Sequence, residues 1–316
     1  MKFIKSIFLV SKRELYYQWH SKAIILLFLI LLALGGLHLF GLYNNAVNAY
    51  NLYRRTEQWY IENNIDILEA LGEPINRVVQ GSSVTIDNPI RADFTNLAIS
   101  IQNIMPQNVI GNFLEFIIFV FCTVIFGIYA GYIASYDYKF KTYKIVSTKY
   151  SQLYIIFGKI LSIIFAMIIT IGFTILAVFF GSFFVVNLIS SYIPINEFTI
   201  DILNFEHGLY IQMLLSFFIL VFYTIVGFSI AYISKTVITT TIILFLYGFI
   251  FPILGVYDFR NIFAYFAYEV FTFNARFVMV LPMQINVYLG VAIVIFTIVI
   301  ALAVVLVAAK NRSAYN

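Results

Sequence analysis

The sequence predicts an all-α integral membrane protein with six transmembrane helices. An N-terminal interfacial helix, a small external cap between helices one and two, a short helix in a cytoplasmic loop and an external re-entrant hairpin complete the expected architecture. Three observations carry this reading. Of 316 residues, 62% are hydrophobic and only 11% are charged, whereas a soluble domain averages about 45–50% and about 25%. The mean hydropathy is +0.94. The few charges, finally, are sorted so that lysine and arginine crowd one side of the predicted spans. A soluble enzyme, a nucleic-acid binder or a disordered scaffold of this composition is excluded, because too little polar surface exists to face water.

The elements follow in order. Residues 1–22 form an amphipathic helix, with Ile4, Ile7, Phe8, Ser11, Leu15 and Trp19 on one stripe and Lys5, Lys12 and Arg13 off it. Such a helix suits the surface of an anionic leaflet; the plainer alternative is a positive flank that fixes topology. The following apolar run is of span length and lacks an A-x-A site, so an uncleaved first span is expected rather than a signal peptide. A bilayer core needs about 20 apolar helical residues, and stretches almost free of Asp, Glu, Lys and Arg give spans at 23–43, 113–135, 160–188, 209–234, 236–257 and 285–309. Glu115 stands near the start of the second. Residues 44–112 are the cap, helix-like up to Gly72 and Pro74, then turn and strand signals in QGSSVTIDNPI, then a second helical stretch. The cap is acidic and reads as a packed lid or as a contact surface for a ligand or partner. Residues 258–284 are apolar but contain Arg260, Glu269 and Arg276, too much charge for a lipid-facing helix, and read as a re-entrant or interfacial hairpin.

Charge placement orients these elements. Thirteen Lys and Arg, against the two acids Glu14 and Asp137, fall on the side holding both termini, the 136–159 loop and Lys235. The opposite side carries six arginines and the remaining acids. The positive-inside rule makes both termini cytoplasmic. The abundance of Ile, Phe, Tyr, Asn and Lys points to an AT-rich bacterial genome and hence a bacterial plasma membrane.

Several chemistries are absent from the sequence. The single cysteine, Cys122, forms no intramolecular disulfide. The three histidines, His20, His38 and His207, are too scattered for a metal centre. No GxxxxGK[ST] loop, HExxH, CxxC or GxSxG motif occurs. The spans hold almost no ionisable groups of the kind coupled carriers place at mid-membrane. His38, in the first span, reads as hydrogen-bonded to a neighbouring helix more readily than as a substrate ligand. Gly127 and Gly131 form a GxxxG that permits close helix approach, as do Gly35 and Gly36. No catalytic, cofactor-binding or metal-binding residue is expected, so any transport must draw energy from another subunit.

The most specific segment is the cytoplasmic loop 136–159. It runs from Asp137 through Lys141-Thr142 and Ser151-Gln152 to Gly158-Lys159, with five lysines interleaved with Tyr143, Ile145, Val146, Leu153, Ile156 and Phe157. Composition alone permits a basic loop that only obeys the positive-inside rule; its apolar residues equally permit a short helix that packs on a partner.

The pattern resembles the loop of type-2 ABC transporter permeases, the transmembrane subunits of ABC exporters. That loop reads acidic-x-x-x-Gly-Thr, an apolar stretch, Ser-Arg and a closing Gly-Lys. Asp137, Thr142, Ser151 and Gly158-Lys159 match it, while Lys141 replaces the glycine, Gln152 the arginine, and no proline precedes Ser151. The basic first helix with Lys12-Arg13-Glu14, the six spans and the hairpin between spans five and six agree architecturally. The resemblance implies a permease without its own ATPase site, paired with a second permease chain and separate ABC-type ATPase subunits that carry ATP and magnesium. It assigns ATPase coupling to Asp137, Lys141, Thr142, Ser151, Gln152 and Lys159 in a coupling helix, assisted by Lys12, Arg13 and Glu14. A peptide, drug or lipid is the implied cargo, and no residue is assigned to bind it. The alternative from another class is a non-transporting membrane scaffold or sensor whose external cap binds a ligand.

Overall fold

A computed structural model describes residues 2–80, 83–198, 208–276 and 279–313. His207 lies outside them. The described chain is mainly helical, with one small hairpin, and five of its helices are long and apolar enough to cross a membrane. The architecture is that of a multi-pass membrane protein.

Helix α1 (Lys2–His20) ends in a turn at Lys22, whose left-handed φ of 62° swings the chain into α2 (Ala23–Glu62). The predicted first span stopped at residue 43, but α2 continues unbroken for 40 residues, about 60 Å at 1.5 Å per residue. Its second half contains no proline or glycine to stop it, and it gains a packing partner in α4 (Pro89–Ile104). Tyr53 of α2 stacks edge-on against Phe94 of α4, and Thr56 donates to Asp93 at 2.6 Å. The cap is therefore an extension of the first span.

Between α2 and α4 lie α3 (Ile67–Gly72) and an antiparallel pair, β1 (Arg77–Gln80) with β2 (Ser83–Ile86); the predicted strand signal in 80–90 covers β2, whereas β1 lies almost wholly ahead of it. Asp66 caps α3 by accepting from the Leu68 and Glu69 N–H groups, and Asn88 caps α4 while its amide donates to the Ala70 carbonyl at 2.6 Å. Asp87 accepts from both the backbone and the side-chain amide of Asn76, each at 2.8 Å. Those bonds hold its carboxyl below the usual carboxylate range.

Helix α5 (Pro106–Phe116), a π-turn at Ile117–Phe121 and α6 (Cys122–Lys139) form one rod that returns to the basic end. It starts earlier than the predicted 113–135 because Pro106 is accommodated at its first turn. A short α7 (Tyr143–Lys149) occupies the loop, and α8 (Gln152–Ser190) runs back for 39 residues. The predicted loop therefore ends sooner than expected, since residues 152–159 are already the first turns of α8. Helix α9 (Leu209–Ser234) follows, then α10 (Val237–Phe245) with a terminal π-turn at Leu246–Ile250, α11 (Phe259–Tyr268) and α12 (Val287–Ser313).

The predicted fifth span, 236–257, differs most. Its helix covers only Val237–Ile250, about 21 Å. Pro252 explains the break: it excludes the helical conformation at the preceding Phe251, which adopts φ −72° and ψ 136°.

The core centres on α6 against α9, the most extensive helix pair. Gly127 of the predicted GxxxG faces Gly227, so close that a methyl at Gly227 would lie 2.6 Å from the Gly127 Cα. Gly131 faces Thr240 of α10 and Ala231 of α9. The motif thus works within this chain, bringing α9 and α10 onto α6. Gly227→Ala should destabilise the protein by about 1–3 kcal/mol, the usual range for overpacking. Gly172, with nothing within 4 Å, should tolerate alanine with unchanged or higher stability. Thermal unfolding of the two variants in detergent checks this pair of outcomes.

Candidate functional site at the basic end of the bundle

The residues singled out in the 136–159 loop converge only in part. Asp137, on the last turn of α6, and Lys159, on the second turn of α8, are both buried and form an ion pair, Nζ to Oδ2 at 2.8 Å. The ammonium also donates to the Ile133 carbonyl at 3.0 Å. The Thr142 hydroxyl donates to Asp137 Oδ1 at 2.8 Å and its N–H to the Asp137 carbonyl at 3.0 Å. Lys141, between them, takes a left-handed φ of 57°, a conformation to which glycine, the residue of the resembled pattern, is suited. One charge pair and one hydroxyl therefore fix the entry to α7 against two long helices. Ser151 and Gln152 stand apart from this cluster: Ser151 is exposed at the start of α8 without a side-chain cap bond, and Gln152 is half-buried.

Helix α1 joins the same end of the bundle by packing along α8. Gly158 makes the approach possible, since a methyl there would come within 2.6 Å of Val10 Cγ1 and 3.2 Å of the Ile7 carbonyl. Glu14 is buried and bonded to Arg13 at 2.6 Å. The Arg13 guanidinium also lies over the rings of Tyr17, at 5.7 Å, and of Tyr150, at 5.2 Å; the latter links α1 to the residue that follows α7. Lys12 is exposed. The predicted stripe packs only in part: Ser11 is buried and Ile7 and Leu15 are half-buried, but Ile4, Phe8 and Trp19 are exposed, and Val10, Glu14 and Gln18, which lie off the stripe, are buried. Polar groups seek protein partners where the alternative is lipid.

Gln18, Tyr129 and Ser162 were not singled out in the sequence. Gln18 donates to Ser162 Oγ at 2.8 Å and accepts from the Tyr129 hydroxyl at 2.7 Å. The available signal was the spacing of Ser11, Glu14 and Gln18, which puts three polar residues on one face of a helix.

At the opposite end, side chains grip the non-helical chain between α11 and α12. Gln212 donates to the Val270 carbonyl, Asn103 to that of Asn274 and Asn45 to that of Ala275, while Glu115 accepts from the Phe273 N–H at 3.0 Å. Arg276 reaches the Leu37 carbonyl at 2.8 Å and lies over the Phe116 ring. Asn261 ties the segment to itself by bonding to both the carbonyl and the N–H of Met283. His38 departs from expectation. It is fully buried between Phe113 and Phe116, and neither ring nitrogen has a hydrogen-bond partner among the described residues.

A cavity of about 680 Å³ opens between α2, α6 and α10. Leu26, Ile30 and Ile128 line it with Tyr129, Tyr132 and Thr241, and Lys22 stands at its basic end. Among the described residues, no group of three His, Cys, Asp or Glu side chains is placed to hold a metal ion.

No family model matches this sequence, and neither a curated protein nor a solved structure shows significant similarity to it.

The buried pair makes a direct prediction. Removing one partner strands a charge, so Asp137→Ala or Lys159→Ala should each cost about 3–5 kcal/mol. Replacing both, as Asp137→Leu with Lys159→Met, should recover most of that loss. Denaturation of the three variants reads the coupling, and equal, additive losses would show that the pair does not act as a unit.

Proposed function

We propose that this chain is the permease subunit of an ATP-binding-cassette exporter of the type-2 class. It works with separate ATPase subunits and a second permease chain in a bacterial plasma membrane, and its basic end is cytoplasmic. The observation that carries the reading is the way α7 is mounted. A seven-residue helix is weak by itself, yet this one is held at its start by Asp137, Thr142 and Lys159 and approached at its end by Arg13 through Tyr150. Its outward face stays free: Ile145 is 64% exposed and Lys149 is exposed. A rigid mount with an apolar and basic outer face suits a helix that receives force from a soluble partner and passes it to α6 and α8.

Two further features fit the same reading. The sequence has no phosphate-binding loop of its own, so the energy source belongs to another chain. Phe259 and Phe263 of α11 meet Phe222, halfway along α9 and about 18 Å from its basic end. We therefore read α10 and its π-turn as the rising limb, and residues 258–284 as a re-entrant hairpin completing a six-pass topology. The 680 Å³ cavity, apolar with hydroxyls and one lysine, suits an amphipathic cargo such as a peptide, drug or lipid.

Purification from the native membrane in mild detergent should bring down an ATPase with a P-loop. Ile145→Asp combined with Lys149→Glu should reduce that association at least tenfold while the chain elutes and unfolds as before. A wild-type chain that never carries such an ATPase, or a variant that carries it undiminished, would overturn the assignment.

A further inference from the structure

Where α1, α6 and α8 cross, three polar side chains form a relay with a fixed direction. The Tyr129 hydroxyl donates to Gln18 Oε1 at 2.7 Å, Gln18 Nε2 donates to Ser162 Oγ at 2.8 Å, and Ser162 donates to the Lys159 carbonyl at 2.7 Å. Gln18 is 2% exposed and Ser162 is fully buried. Each donor is committed to one acceptor. Tyr129 can give a proton only to the amide oxygen, and that choice points the amide NH₂ at Ser162, whose own proton then has Lys159 as its target. Gln18, on α1, is thus bonded to both α6 and α8 at this crossing. The relay ends on the backbone carbonyl of Lys159, in the same turn of α8 from which the Lys159 side chain reaches Asp137, which in turn accepts from Thr142. Tyr129 also walls the cavity between α2, α6 and α10.

We infer that Gln18 is a positioning residue: its bonds to Tyr129 and Ser162 register α1 against α6 and α8 and thereby set the Asp137–Lys159 lock that orients α7. The inference deepens the exporter reading and rests on it for its purpose, which is to link the cavity wall at Tyr129 to the helix that faces the ATPase. The amide is suited to this task because it bridges a donor on α6 and an acceptor on α8. Methionine has similar length and volume and satisfies neither.

Hydrogen exchange on the full-length chain in detergent micelles tests the register without any ATPase. Three amides report on the loop: Thr142 N–H to the Asp137 carbonyl, Val146 N–H to that of Thr142, and Tyr150 N–H to that of Val146. Gln18→Met should speed exchange at these positions tenfold or more while the amides of α9 stay as protected as in the wild type. Tyr129→Phe, which removes a single oxygen, should act in the same direction and keeps the test available if the first variant folds poorly. The double variant should exchange no faster than the faster single one, because both break the same relay. Unchanged loop exchange, multiplicative effects in the double variant, or equal acceleration throughout α9 would each overturn the positioning role. With the ATPase bound, Gln18→Met should also lower the ratio of cargo-stimulated to basal hydrolysis. A chain whose loop exchange responds as expected, but which carries no ATPase, would retain the register and sink the exporter reading.

Discussion

A chain that leaves the helical conformation inside an apolar bundle must supply new partners for its backbone, since neither lipid nor a neighbouring strand will do so. The break at Pro252 creates that demand here, and much of the polar composition answers it. Arg260 turns back to the carbonyls of Tyr247, Phe251 and Pro252 and is steadied by Asp258. Asn261, Asn45, Asn103, Gln212 and Glu115 then satisfy the non-helical segment one backbone group at a time. Neutral amides do most of this because they bond to carbonyls without the desolvation cost of a charge. The residues that look out of place in an apolar sequence are those that make a broken helix tolerable.

The basic end solves a different problem with a different interaction. The chain turns there close to the predicted interface, where α6 ends, α7 lies and α8 begins. What is required is a definite angle between a short helix and two long ones. A buried ion pair contributes little net stability but penalises every arrangement that separates its charges. Asp137 and Lys159, both out of water and both reaching a second partner, convert that penalty into a single geometry for the loop. The amide relay above them extends the same geometry to α1.

Much of this was legible in the sequence, and the failures have physical causes. The apolar runs marked where the long helices lie, five of them of span length, because solvent partitioning acts locally. Asp137, Thr142 and Lys159 were singled out only through the resemblance of their loop, in one set with Ser151 and Gln152, which stand apart from the pair because spacing along the chain does not encode the contact between α6 and α8. The length of α2 was not legible, because a helix propagates until something stops it and polarity alone does not. The end of α10 was missed for the converse reason: a hydropathy window runs smoothly across Pro252, whereas the backbone does not. His38 was misjudged because composition cannot tell a hydrogen-bonded ring from one stacked between Phe113 and Phe116.

The inner face of α1 shows why such errors are systematic. Amphipathic analysis assumes that the apolar stripe packs inward, which holds when water surrounds the protein. Around a bilayer-embedded bundle the outer solvent is itself apolar, so burial no longer sorts residues by hydrophobicity. Glu14 and Gln18 turn inward, where Arg13 bonds to the first and Tyr129 and Ser162 to the second, leaving Phe8 and Trp19 outside. Helix α8 repeats the inversion along its whole length: Ser162, Thr170, Thr174 and Ser182 are buried, while Phe173, Leu176, Phe180 and Phe184 are exposed. Small hydroxyl side chains, bonded back to their own helix, allow close packing against α2 and α9. In this chain, then, helix-spaced Ser, Thr and Gln mark the protein-facing side of a helix, and Gln18 turns toward α6 and α8 for the same reason that Thr174 turns toward the core.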